Sequence, residues 1–311
     1  MKHTLLTKET NEIQRVVALR HSRNKRFQNQ EFIIEGILNI NQAIKHNWPI
    51  KSIFYNHDTQ LSEWAKTIIS NKSVYSIYAV SENIMRKISE REDCPEVLMI
   101  GQAKSNNFSN YSPSVSEVVI VLDQPKSAGN LGMIIRSAAA FGVNAIVISG
   151  HAADEYDPQC IRSSVGSFFN IPIFTVEGVE KFRNKIEQLK VSHNLEIISS
   201  GNKGSVSLHE HKFSKYLLFI IFGNETHEVT SFDKINDGFE SLIVPAQQYV
   251  KFTNQPGPMP SVCVDMWKNI WKMEPADLGG KRAYIADFEV YDERSVDHSN
   301  VTLDIYIGIA S

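Results

Sequence analysis

Several things are scarce in this chain, and each scarcity removes a class of protein. Cysteine occurs three times in 311 residues, at Cys94, Cys160 and Cys263. An odd, scattered set gives no disulfide framework, and no pair has metal-ligand spacing, so no metal site is expected. No apolar run is long enough to span a bilayer. The opening residues, MKHTLLTKETNE, lack the apolar stretch of a signal peptide, and a cytoplasmic protein is the expectation. Net charge is small: 32 Lys and Arg against 35 Asp and Glu leave −3. Bulk charge therefore does not advertise a nucleic-acid partner, although a local patch could serve one. There is no short-period repeat. The loop SAGNLG holds a single Gly-x-x-Gly spacing rather than G-x-G-x-x-G, which argues against a dinucleotide-dependent oxidoreductase.

What is present is organised around Val118 to Val143, VVIVLDQPKSAGNLGMIIRSAAAFGV. An apolar strand, Val118–Leu122, runs into a loop of Pro, Ser and Gly. A helix pattern starts at Leu131 and stops at Gly142, with Asn130 where an N-cap belongs and Gly142 where a C′ glycine belongs. Arg136 is the one charge inside that helix. Strand, glycine loop and helix N-terminus are the ingredients of a nucleotide-like ligand site in an α/β fold.

Ahead of this stretch the chain alternates. A basic segment, with Arg15, Arg20, Arg23, Lys25 and Arg26 and no acid among them, reads either as a solvated helix face or as a phosphate-contacting patch. Strands are expected at Glu31–Glu35, Ile50–Tyr55, Val74–Val80 and Val97–Ile100. Helices are expected around Ile37–Ile44, Trp64–Ile69 and Ile84–Ile88. This is a small α/β/α unit over 1–104. The Ser/Asn-rich run 105–116 reads as an interdomain linker. A second α/β unit, 117–230, continues with strands Ala145–Ser149, Glu196–Ser200 and Tyr216–Phe222 and a helix over Val179–Leu189. Alternating strands and helices imply a parallel sheet covered on both faces, with ligand loops at the strand C-terminal ends. Three polar loops fall there: Pro125–Asn130, Ser199–Gly204 and Gly223–Glu225. From 234 to 311 the character changes to β-α-β-β with antiparallel pairing, its helix carrying Trp267 and Trp271.

Residues of about 10 to 227 resemble the SpoU (TrmH-type) RNA ribose methyltransferases of the trefoil-knotted SPOUT class. The resemblance rests on LDQPKSAGNLGMIIRSAAAFG, DPQCIRSSVGSFFNIPIF and LFIIFGNE, in that order, and on RNKRFQNQEFIIEG, which is similar to the family's L30e-like substrate-binding domain. It implies methyl transfer from S-adenosylmethionine to a ribose 2′-hydroxyl of rRNA or tRNA, by a homodimer. By resemblance Arg136 is the catalytic arginine and Asn130 helps position it and the RNA. Gly223, Asn224 and Glu225 are then cofactor contacts, and Ser200 lies in a further cofactor loop. Arg23, Lys25 and Arg26, with Arg162 and Ser164, are the RNA-contact candidates. For Arg162 and Ser164 an N-capped helix start remains an equal account. A guanidinium is a poor general base, so Arg136 is read as holding a phosphate or orienting the hydroxyl.

The family pattern breaks after Glu225. Glu228 stands where members place a glycine, and no Ile-Pro-Met motif follows; Ser241-Leu242-Ile243 is a superficial echo of the family's Ser-Leu-Asn. The resemblance thus implies a methyltransferase cut short before its third motif, with the knot incomplete. The C-terminal segment resembles half of a GyrI-like, AraC-type effector-binding domain, through VPAQQYVKFTNQPGPMP, DFEVYDERS and VTLDIYIGI. There Glu289 and Tyr291 match a position that takes cationic small molecules, a carboxylate beside aromatic faces. Two rival readings follow: a catalytically impaired RNA-binding protein, and a small-molecule sensor acting through the C-terminal segment.

Overall fold

The computed structural model describes residues 3–70, 76–91, 93–104, 106–200, 206–207, 211–213, 216–223, 240–243, 248–259, 261–290, 294 and 299–310. The chain divides into two compact units, Met1–Val206 with Glu210–Leu242, and Ser207–His209 with Ile243–Ser311.

The larger unit begins with β1 (His3–Leu6), α1 (Asn11–His21), α2 (Arg23–Asn29), β2 (Glu31–Glu35), α3 (Ile37–Lys45), β3 (Ile50–Asn56), α4 (Glu63–Ile69), β4 (Ser76–Val80), α5 (Glu82–Ser89) and β5 (Val97–Gln102). Helix starts follow local chemistry: the hydroxyls of Thr10, Ser22, Ser62 and Ser81 each accept from an N–H of the following turn. The five strands form a mixed sheet in the order β1-β4-β3-β5-β2. Ile33, Phe54, Leu98 and Ile100 face α1 and α5; Phe32, Ile34, Ile53 and Met99 face α3 and α4. The expected α/β/α layering holds, with β1 and the break between α1 and α2 at Ser22 as additions.

The second half comprises β6 (Val118–Asp123), α6 (Ala128–Ala140), β7 (Ala145–Ser149), α7 (Pro158–Ser163), β8 (Ile173–Val176), α8 (Val179–Ser192), β9 (Leu195–Ser200), β10 (Val206–Ser207), β11 (Leu217–Phe222) and β12 (Glu240–Ile243). The sheet order is β10-β12-β9-β11-β6-β7-β8, and every pairing from β12 to β8 is parallel. Val119, Val121, Val147 and Phe219 pack toward α8, while Leu122, Ile146 and Ile148 pack with Leu131 and Ile135 of α6. The stretch expected to be a bare linker contributes to this core. Phe108 and Tyr111 are buried and stack on one another, and Phe108 also stacks on Phe182. Two aromatics were enough to anchor a polar run.

The two α/β halves share one core. Phe168 and Phe169 reach Phe32 and Trp48, and the Trp48 indole N–H donates to the Phe169 carbonyl at 3.1 Å. Ser241-Leu242-Ile243, read from sequence as an echo within the C-terminal segment, instead belongs to β12 beside β9. Strand alternation alone could not say which sheet it joins.

The smaller unit holds β13 (Gln248–Thr253), α9 (Ser261–Ile270), β14 (Lys281–Val290) and β15 (Asp304–Ala310). It is the expected β-α-β-β, antiparallel in the order β13-β15-β14. Ile270 of α9 packs on Leu303, Ile305 and Ile307.

Candidate active site

Strand β6 ends at buried Asp123, and the chain turns at Gln124 with φ +53 before entering α6. The expected helix is present but begins three residues early. Ser127 is the N-cap, its hydroxyl accepting from the Asn130 N–H; Asn130 sits inside the first turn. Both residues suit a cap, and the geometry selected the one at the loop exit. Gly142, at φ +75, ends the helix as expected. Gly132 is required by packing: a Cβ there would overlap the Ser163 hydroxyl and the Cys160 carbonyl, so α6 and α7 touch through backbone.

The strand ends line up. Ser199 pairs with Ile221, Phe222 with Leu122 and Leu122 with Ile148, which brings the ends of β9, β11, β6 and β7 to one edge. Two of the three predicted loops, after β6 and β11, open into a cleft of about 750 Å³ that runs along the sheet face beside α6. Pro125, Asn130, Phe222 and Gly223 sit at its ligand-loop end, and Met133, Ile134 and Phe141 continue an apolar wall. Ser200 lies level with this edge, its hydroxyl donating to the Ile221 carbonyl at 3.4 Å. Asn224 and Glu225 lie outside the described residues, as does Tyr291; Glu289 is described only as a backbone position of β14, opposite Ile305. Arg136 is exposed on α6, and no hydrogen bond or ion pair reaches it among the described residues. It stands about 9 Å farther along the helix than Asn130 and roughly 240° around it.

A residue the sequence reading passed over is Lys126. Its ammonium donates to the His151 carbonyl at 2.9 Å, tying the loop after β6 to the loop after β7. A lone cation in a strand-to-helix loop was the available signal.

The basic segment is not one continuous solvated face or free patch: Arg15, Arg20 and Arg26 are paired within the fold. Arg15 pairs with Glu31, and buried Arg20 donates to Glu35 at 2.7 Å and to the Ile88 carbonyl at 2.8 Å. Arg26, expected to contact RNA, is buried, with Asp154 at 2.6 Å, Asp157 at 2.9 Å and the carbonyls of Leu19 and Arg20 around it. Four of its five N–H donors are used inside the fold, and its burial leaves no open face for a phosphate. Arg23 and Lys25 are exposed. Arg23 donates to the Ala152 carbonyl and borders a cleft with Phe27, Lys104 and Glu155, whose carboxyl burial pushes up to about 7.

Ser164 is likewise excluded as an RNA contact. It is fully buried, caps the C-terminal end of α7 and donates to the Ile161 carbonyl. The helix start proposed for Arg162 and Ser164 lies instead at Asp157, which caps α7. Arg162 is half exposed and reaches Glu35 at 2.7 Å. Burial works to raise the Glu35 carboxyl, but the guanidiniums of Arg20 and Arg162 outweigh it and hold the group below its usual range.

A parallel sheet with loop-borne groups at one edge, joined through a common core to an α/β/α unit, is the arrangement expected of a SPOUT-type methyltransferase fold with an L30e-like companion. Family models match both halves of this unit. Residues 117–234 match the SpoU rRNA methylase family and residues 11–99 the SpoU L30e-like domain. Both halves of the larger unit are thus similar to SpoU-type methyltransferases. A 23S rRNA (uridine(2479)-2′-O)-methyltransferase of Streptomyces viridochromogenes is 29% identical over 71% of this chain and 77% of its own length. The crystal structure of the SpoU methyltransferase AviRb from the same organism, in complex with the cofactor AdoMet, aligns with a TM-score of 0.72 at 26% identity, covering 77% of this chain and 90% of that one. Residues 176–309 match an integron-associated effector binding protein family. The protein YobU of Bacillus subtilis is 30% identical over 28% of this chain, which spans about half (55%) of that protein. The segment 176–234 is claimed by both families. Here β9 and β11 pair in parallel with each other and β11 with β6, so the described strands of that segment belong to the methyltransferase sheet.

Proposed function

We propose that this chain transfers a methyl group from S-adenosylmethionine to a ribose 2′-oxygen of ribosomal RNA. The observation that carries the reading is the aligned edge of β9, β11 and β6, with Asn130 and Gly223 facing one cleft. That edge fits the cofactor. Gly223 presents backbone without a side chain, Ser200 adds a hydroxyl beside it, and Leu122, Pro125 and Ile134 give an apolar wall of the kind an adenosine needs. Asn224 and Glu225 complete the loop by resemblance.

When bound, the cofactor supplies an activated methyl on a sulfonium that is already a good leaving group. The residues of the chain then have two tasks: to align the ribose oxygen with that methyl, and to assist loss of the hydroxyl proton. Asn130 can donate or accept at the mouth of the cleft. Arg136, an exposed guanidinium on α6 outside the cleft lining, is suited to hold a phosphate of the RNA. Arg23, Lys25 and Arg162 extend RNA contact onto the first half of the unit. The exposed Met133, Phe141 and Phe222, at 54, 88 and 38% exposure, form the face on which we place a second copy of the chain. Three free cysteines fit action in a reducing cytoplasm.

Titration calorimetry with S-adenosylmethionine, run beside a methyl-transfer assay on 23S rRNA transcripts, tests the reading. Arg136→Ala is expected to retain cofactor binding and lose about 100-fold or more in transfer rate. Absence of binding at millimolar cofactor defeats it.

A second reading has its own support, the effector-binding match over 176–309. On that reading the C-terminal unit senses a cationic small molecule through Glu289 and Tyr291. Dye binding that survives Glu289→Gln removes it.

A further inference from the structure

A second cleft, of about 420 Å³, lies where α3 meets the end of α7, well apart in sequence from the residues assigned to methyl transfer. Asn39, Trp64, Arg91, Arg162 and Val165 are among its walls. Helix α3 starts at Gly36 with no side chain capping it, so the N–H groups of its first turn and the positive end of its dipole face this space.

Asn39 supplies an independent sign of a ligand. It is 5% exposed, and its Nδ2 donates to the Glu35 carbonyl at 2.9 Å. Its Oδ1 has no hydrogen-bond partner among the described residues. A buried amide oxygen without a donor is costly, and such groups concentrate where a ligand completes them.

Three further features shape the cleft. The Trp64 indole N–H donates to Asn41 Oδ1 at 2.8 Å, which fixes the ring in the wall. Val165, a β-branched residue, is held at φ +50, followed by Gly166 at +90. A Cβ on Gly166 would stand 2.8 Å from Gln42 Cγ, so the loop is pressed against α3 and Val165 is turned toward solvent at 39% exposure. The carboxylates nearby are already engaged: Glu35 by Arg20 and Arg162, Asp93 by Arg91, and Glu96 by the Ser62 N–H and hydroxyl.

A fixed aromatic ring, a deep acceptor, and a cation with a helix N-terminus at the rim match one nucleotide. We propose that this cleft is a base-reading subsite: one unpaired base of the RNA substrate enters against Trp64 and donates to Asn39 Oδ1, while its phosphate meets Arg162 and the first turn of α3. Base edges of this kind are open in loops and bulges, not within A-form duplex, so the substrate region is unpaired there. The subsite rests on the reading of the chain as an RNA methyltransferase.

The test uses the full chain, a 23S rRNA transcript and S-adenosylmethionine, measuring RNA affinity, methyl transfer and cofactor affinity in parallel. Trp64→Ala is expected to weaken RNA binding about 10-fold, the effect of one lost stacking contact, while Trp64→Phe stays near wild type. Asn39→Leu, checked for an unchanged thermal midpoint, is expected to weaken RNA binding several-fold. Cofactor affinity is expected to be the same in all three. Equal RNA affinity in Trp64→Ala and wild type overturns the subsite, whatever the methylation result. A wild-type chain that methylates nothing, yet loses RNA affinity in Trp64→Ala, keeps the subsite and overturns the enzyme. A chain that binds no RNA overturns both.

Discussion

Glu35 sits at the end of a buried strand and holds two arginines, Arg20 from α1 and Arg162 from α7. Breaking a buried pair costs more than the pair contributes, because the surviving charge is stranded. Glu35→Gln is therefore expected to destabilise the larger unit by about 3 kcal/mol at neutral pH, read by urea denaturation. The pH dependence has a definite sign. The folded carboxyl lies below its unfolded value, so its contribution is complete above about pH 4.3 and is lost as pH falls through the folded value. The deficit of Glu35→Gln should accordingly shrink in acid. At this scale the sequence was least legible. The basic run from Arg15 to Arg26 showed no acid within it, and its partners come from β2 and from Asp154 and Asp157, more than a hundred residues on for Arg26. Net charge and spacing carry no record of such pairing, so Arg26 looked available when it is enclosed. The same holds for Ser164, whose hydroxyl is spent on its own helix.

The helix α6 was legible as an element, because an apolar strand, a glycine loop and a C′ glycine each carry local chemistry. Its start was misplaced because Ser127 and Asn130 are both good caps, and only the loop exit distinguishes them. The role of Gly132 could not be read, since it depends on α7 arriving at that turn. Gly132→Ala would gain helix propensity in isolation but forces two backbones apart. A loss of about 1–3 kcal/mol in stability is expected, with reduced cofactor affinity as the α6 side of the cleft shifts. Chemical denaturation and calorimetry on the same variant check both. A neutral or stabilising effect would mean that α6 and α7 are less tightly apposed than the structure has them. The run 105–116 shows the opposite difficulty. Its polar composition predicted a linker, and Phe108 and Tyr111, two aromatics among many polar residues, decide its burial.

At the scale of the molecule, order of elements was readable throughout: α/β/α, then a parallel sheet, then antiparallel β-α-β-β. Which strands share a sheet was not readable at the joins, as β12 shows. The smaller unit has its own core around Ile270, Leu303, Ile305 and Ile307. Two units, each with a core of its own among the described residues, are expected to unfold as two transitions, so calorimetric and van't Hoff enthalpies for the whole chain should disagree. A single two-state transition would instead show that the units are thermodynamically coupled. The cofactor edge is the sensitive point, because no Ile-Pro-Met sequence follows Glu225. On the proposed function, the ends of β9, β11 and β6 hold enough of the cofactor site to work without that sequence. That claim is tested most directly by incubating the full chain with methyl-labelled S-adenosylmethionine and unmodified 23S rRNA transcript, then digesting the RNA in alkali. The account predicts label in an alkali-resistant dinucleotide, the mark of a 2′-O-methylated ribose. No incorporation, or label only in alkali-labile mononucleotides, would contradict it.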